Sequence, residues 1–134
     1  MTRTREEALD FIIQQAKEGK IGPNLAIDPA TCRYTYESGN HCAVGCLLSD
    51  ELLTKIQEEN YNGQGVNAIC RTFGRENVEL ATGLTQHELA YLQHEHDVAF
   101  TEGEGLPPEE RLKNAIENVI EAAESLKEGY RPKV

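Results

Sequence analysis

The sequence predicts a mainly α, single-domain protein of about five helices carrying one small β-hairpin. Three observations lead there. Apolar residues recur at helical spacing in several segments. Two Thr-x-x-Glu boxes mark helix starts. A stretch rich in Tyr and Thr, with a Ser-Gly-Asn turn, breaks the helical pattern. A chain of 134 residues suits one core with a radius of gyration of about 14 Å, so residues 1–134 are read as one domain.

Thr4 and Glu7 have the spacing in which a hydroxyl and a carboxylate each satisfy an orphan backbone N–H. Leu9, Ile12, Ile13 and Ala16 follow on one face, and Gly19 can close the helix. Pro23 and Pro29 punctuate a link over residues 21–30. The hairpin is expected next, from Cys32-Arg-Tyr-Thr-Tyr through Ser38-Gly39-Asn40. Cys42-Ala-Val-Gly-Cys-Leu-Leu either finishes that hairpin or begins a helix. Ser49 caps a helix whose apolar side is Leu52, Leu53 and Ile56. After a loop at Asn60-Tyr-Asn-Gly-Gln-Gly, Val66, Ile69, Cys70 and Phe73 form a short helix that Gly74 ends. Thr85 and Glu88 open a helix through Leu89, Leu92, His96 and Phe100. Pro107-Pro108 introduces the most strongly periodic segment, with Leu112, Ala115, Ile116, Val119, Ile120, Ala123 and Leu126 on one face and Gly129 at its end.

Composition narrows the function classes. The 23 acidic residues against 13 basic ones give a formal charge of −10. Direct binding to a nucleic-acid backbone needs clustered Lys and Arg, so it is not expected. An acidic surface instead serves solubility or association with a basic partner. No apolar run approaches the ~18 residues of a membrane span, and no membrane association is expected. The opening Met1-Thr-Arg-Thr-Arg-Glu-Glu leads into an amphipathic pattern rather than a signal-peptide block. A cytoplasmic location follows as the expectation, with Cys32, Cys42, Cys46 and Cys70 reduced.

Each candidate site has a plainer reading beside it. Cys32-x9-Cys42-x3-Cys46 invites zinc, but structural sites use tight Cys-x2-4-Cys pairs, often two of them. Small buried hydrophobes are the alternative, and no metal or cofactor is expected. His94-Glu-His96-Asp97 looks like a metal cluster, yet residues two apart on a helix diverge by ~200°. His96 therefore falls on the apolar stripe, and His94 lies with His87 and Tyr91 on the other side. A thiol-hydrolase arrangement would use Cys42 as nucleophile, His96 as base and Gln93 as oxyanion donor. Asp97, ~100° around the helix from His96, is expected to orient that ring poorly. Asn62-Gly-Gln-Gly before a helix is a weak anion-loop signal without a P-loop lysine. Tyr34 and Tyr36, on one strand face with Arg33 opposite, either stack a ligand or partner or cover the core.

Cys32-x-Tyr34, Cys42-Ala-Val-Gly-Cys-Leu47 and Leu92-Gln-x-x-His96-Asp97 together resemble an uncharacterised group of small bacterial and phage proteins with a Cys-x-Tyr, Cys-Ala-x-Gly and Leu-Gln-x-x-His-Asp pattern. The resemblance covers roughly the middle half of the chain and omits the first helix. It brings no activity. It implies that Cys32, Tyr34, Cys42, Gln93, His96 and Asp97 gather in space, and that the chain is of phage or other mobile-element origin.

The expected function is thus a small acidic intracellular binding or inhibitor protein, phage-encoded, acting against a host defence component by charge mimicry or ligand sequestration. Its partner would be a protein or small ligand, met through Arg33, Tyr34, Tyr36, His94 and Asp97. The alternatives are a hydrolase using Cys42, His96 and Gln93, and a purely structural module. The residues favour a binder over an enzyme, and they leave the oligomeric state open.

Overall fold

The computed structural model describes residues 3–28, 33–61, 65–101 and 105–132. Six α-helices run through them: α1 (Arg5–Lys17), α2 (Asp50–Glu58), α3 (Val66–Phe73), α4 (Arg75–Thr82), α5 (Gln86–Thr101) and α6 (Pro108–Lys127). A single 3-10 turn, Gly45–Leu47, precedes α2. No helix among the described residues is long and apolar enough to cross a membrane.

The caps form where the sequence places them. Thr4 Oγ1 accepts from Glu7 N–H (3.1 Å) and Glu7 Oε1 accepts from Thr4 N–H (3.0 Å). Thr85 and Glu88 repeat the exchange at α5, at 3.2 and 3.0 Å. The Ser49 hydroxyl accepts from Leu52 N–H at α2. Each box satisfies two donors that would otherwise face water alone.

α6 packs against both α5 and α1. Its Val119, Ala122, Ala123 and Leu126 meet Leu9 and Ile12 of α1 and Leu89 and Leu92 of α5 in the main core. The alanines let backbones come close, so the larger side chains interlock with few gaps. Arg5 ties the three helices at their shared end. Its Nε pairs with Glu88 of α5 at 2.8 Å, and its Nη2 donates to the Leu126 carbonyl of α6 at 2.6 Å. Ala99, Phe100 and Ala115 make a small second cluster at the other end, with Leu112 against it.

Two expectations are corrected. The sequence reading missed α4. Its face buries only Val78 and Thr82, while Leu80 stays exposed, so the apolar period is too sparse to register. Gly74 (φ +95°) turns the chain directly from α3 into α4.

The β-hairpin is absent: among the described residues there is no strand, only an isolated parallel bridge between Ile21 and His41. A tight turn does form, with Tyr36 N–H donating to Asn40 O at 2.9 Å. The ladder cannot continue beyond it, because its next groups are taken. His41 O accepts from Gly22 N–H (2.8 Å), and His41 Nδ1 bonds the Tyr34 carbonyl (2.9 Å). Asp28 holds the same layer from within, accepting from Asn24 N–H (2.7 Å) and Ser38 N–H (3.1 Å). Burial pushes the Asp28 carboxyl up, but the bonds from Ser38 and Asn24 outweigh it and hold the group below its ordinary range. Residues 20–28 and 33–48 thus form an irregular layer, and Gly22 brings that layer against α5.

Candidate functional site

One turn of α5 sets Gln93, His96 and Asp97 side by side. Gln93 Nε2 donates to Asp97 Oδ1 at 2.7 Å, and the same oxygen lies 3.0 Å from His96 Nδ1. The expectation that Asp97 orients His96 poorly is therefore wrong. An angle around the helix treats side chains as radial spokes. Here Gln93, one turn earlier, draws the carboxylate back to where the ring can reach it. A carboxylate only accepts, so Nδ1 carries the proton of this bond, and in the neutral ring that leaves a lone pair on Nε2.

The irregular layer closes over this turn. Tyr34, Cys42 and His96 are fully buried, and Gln93 is 7% exposed. Burial pushes the Cys42 thiol up to about 12. The Gly45 N–H pulls it down, the Asp97 charge raises it, and the Gln93 amide lowers it. Burial also pushes the Tyr34 phenol up, with the Cys42 and Asp97 charges adding to that. Tyr34, Cys42, Gln93, His96 and Asp97 thus share one electrostatic neighbourhood. Gly22 (φ +87°) forms part of its roof: a Cβ there would lie 2.6 Å from Leu112 Cδ1 and 3.5 Å from His96 Nε2. Phe100 flanks the imidazole, ring centroids 5.4 Å apart.

Three buried atoms of these residues have no hydrogen-bond partner among the described residues: Tyr34 Oη, Gln93 Oε1 and His96 Nε2. Each such group costs about 1–3 kcal/mol if left dry. Three of them in residues of one electrostatic neighbourhood is unusual, because buried polar groups are almost always paired.

The chemistry available to Cys42 is limited. Its Sγ accepts from Gly45 N–H at 3.3 Å and makes no hydrogen bond to His96. A helix dipole gives no help either, since the turn that follows Cys42 is one 3-10 turn. With the thiol near 12, the thiolate is a minute fraction at neutral pH. Alkylation of the native protein with iodoacetamide should be slower at Cys42 than in urea by at least about a thousandfold, following the thiolate fraction and burial. Mass mapping checks this, and fast native labelling at Cys42 would restore the nucleophile.

The remaining candidate residues are placed as follows. Arg33 is exposed; its N–H donates to Tyr36 Oη at 3.2 Å, and Tyr36 is buried. Both tyrosines lie in the core rather than on the surface, since Tyr34 and Tyr36 are each 2% exposed. Cys46 Sγ donates to Ala43 O at 3.1 Å, and burial pushes its thiol up. Cys32 and the Asn62-Gly-Gln segment lie outside the described residues. No group of three or more His, Cys, Asp or Glu placed to hold a metal ion occurs among the described residues. His94 is exposed, away from the nest, in a groove with His87 and Tyr91. Sequence reasoning missed Gly22, whose only signal was a glycine before Pro23 in an irregular link. Compared with known proteins, the chain matches no family model, and no curated protein or solved structure is significantly similar to it.

Proposed function

We propose that the chain is a small acidic binding protein that sequesters a ligand in the nest under Gly22. The observation that carries this is the trio of unpartnered buried atoms, Tyr34 Oη, Gln93 Oε1 and His96 Nε2. Two of them present lone pairs, and the phenol can donate. Their complement is a small N–H-rich molecule, neutral or cationic, to which the phenol donates where the molecule carries an acceptor. The Asp97 charge beside the ring and the net charge of −10 favour that sign over an anion. Entry requires the layer that bears Gly22 to lift from α5.

The test uses the full chain labelled with nitrogen-15. Ammonium, methylammonium, formamide and urea at low millimolar concentration are titrated while the His96 imidazole nitrogens are followed by NMR. At least one probe should move Nε2 saturably, and Gln93→Leu with Tyr34→Phe should abolish the response while the melt stays cooperative. If no probe moves Nε2 and nothing co-purifies in the nest, buried water is its occupant and the proposal fails.

A second reading rests on α6. Glu117, Glu121, Glu124 and Glu128 are all exposed and follow one another at helical spacing. Such a row suits a basic protein surface, as charge mimicry against a host defence component would require. Binding by this route should fall steeply with salt and with glutamine replacing the four glutamates.

A further inference from the structure

On the face of α5 bearing His94, the chain after α6 folds back and leaves a cavity of about 270 Å³. Asn67, His87, Tyr91, His94, Tyr130 and Pro132 line it. Three features set it apart from the rest of the surface.

The first is its aromatic wall. The Tyr91 and Tyr130 rings lie 5.1 Å apart and are tilted by 45°, so they meet as an open wedge rather than a closed stack. Tyr130 is 49% exposed, an unusual place for a large ring in a protein with few aromatics. The Tyr91 hydroxyl is anchored at Ser125 Oγ (3.3 Å), which holds that ring in place. Two tyrosines give a flat ligand contact area at low entropic cost.

The second is charge. The chain has 23 acidic residues, yet among the described residues no carboxylate side chain lines this cavity, while two imidazoles do. An adjoining cavity of about 610 Å³ shares His87, Tyr130 and Pro132 and adds Arg5 and Arg131. Its carboxylate, Glu88, is already bound to Arg5 at 2.8 Å. Glu79 is engaged by Gln86 N–H and Arg75. Both of these acids are therefore paired, and Arg131 and the imidazoles line the groove.

The third is size. The cavity is at the lower edge of ligand sites, which run from about 300 to 1,000 Å³. It suits one ring or a fused pair, with room for an acidic group in the adjoining cavity.

We propose that this groove binds a planar aromatic ring carrying one anionic group, a carboxylate or a phosphate. The ring lies against the face of the Tyr91–Tyr130 pair that lines the cavity, and the anion meets His87 and Arg131. The site is separate from the buried nest and opens on the opposite side of α5.

The test titrates the labelled full chain with adenosine monophosphate and, in a second arm, with indole-3-acetate. Adenosine and indole are the uncharged controls. Each anion should shift the Tyr91, His94 and Tyr130 signals saturably, with the uncharged partner at least about ten-fold weaker. Tyr130→Ala should weaken binding about ten-fold or more, and Arg131→Ala should remove most of the preference for the anion; Arg131 is exposed, so its melt should not move, and loss of the half-exposed Tyr130 ring should lower the melt only slightly while it stays cooperative. Tighter binding of the nucleotide identifies the phosphate source, and tighter binding of indole-3-acetate the carboxylate source. The proposal is overturned if neither anion shifts these signals at millimolar concentration, if the uncharged compounds bind as well, or if Tyr130→Ala binds like the parent.

Discussion

Above pH 9 the protein should lose stability steeply, with Cys42 alone removing about 4 kcal/mol by pH 12. The sign follows from the thiol. In the unfolded chain it ionises near its ordinary value of 9.0, and in the native state near 12, because burial disfavours the thiolate. Between those values the native state binds the extra proton. Stability therefore falls as pH rises, by about 1.4 kcal/mol per unit for this group. Below pH 9 its contribution is complete and constant. Burial also raises the Cys46 and Cys70 thiols and the Tyr34 phenol, so they act in the same direction. A typical domain has only about 5–15 kcal/mol in total, so alkaline unfolding should occur inside this window. Urea melts of the parent and of Cys42→Ala, taken below pH 9 and toward pH 12, isolate the group. The variant should lose one proton's worth of slope, and equal slopes would show that Cys42 ionises freely in the native state.

Gly45→Ala should destabilise the native state by about 3 kcal/mol. A Cβ at Gly45 would lie 2.3 Å from the Tyr34 carbonyl oxygen and 3.2 Å from His41 Cβ. The nearest obstacle is backbone, so no rotamer change relieves it. Tyr34 must move, and with it the His41 ring that bonds its carbonyl. Gly39→Ala is the control. It has φ +93° but nothing within 4 Å, so only left-handed strain of about 1 kcal/mol applies there. Denaturant midpoints should separate the two variants clearly. Near-equal costs would mean that Tyr34 yields easily and is not pinned by Gly45. The same contact accounts for the glycine in Cys42-Ala-Val-Gly45: it is the point where the Tyr34 backbone lies against the turn after Cys42.

Much of the helical framework was legible in the sequence because its signals are local. Thr4 with Glu7, Thr85 with Glu88, and Ser49 place their helix starts through bonds made within four residues. The stripe from Leu112 to Leu126 records one buried face of α6. Residues 33–42 misled for the converse reason. Their Tyr and Thr content and their turn suit a strand pair. The backbone of His41, however, is engaged by Lys20 and Gly22, which no local pattern announces. α4 was missed because Val78 and Thr82 alone carry its burial.

The site divides in the same way. The sequence could show that His96 sits on a buried face, since its spacing from Leu89, Leu92 and Phe100 is a helical property. It could not show that Gln93 turns Asp97 back onto the imidazole, or that Cys42 bonds Gly45 rather than His96. Sequence alone therefore determined the helices other than α4, their side-chain caps and the acidic composition, because each depends on neighbours along the chain. The tertiary structure alone decided that Tyr34, Gln93 and His96 are each buried with hydrogen-bonding capacity unmet among the described residues. That outcome depends on contacts between segments far apart in sequence, where burial and the approach of another backbone set the chemistry of each group.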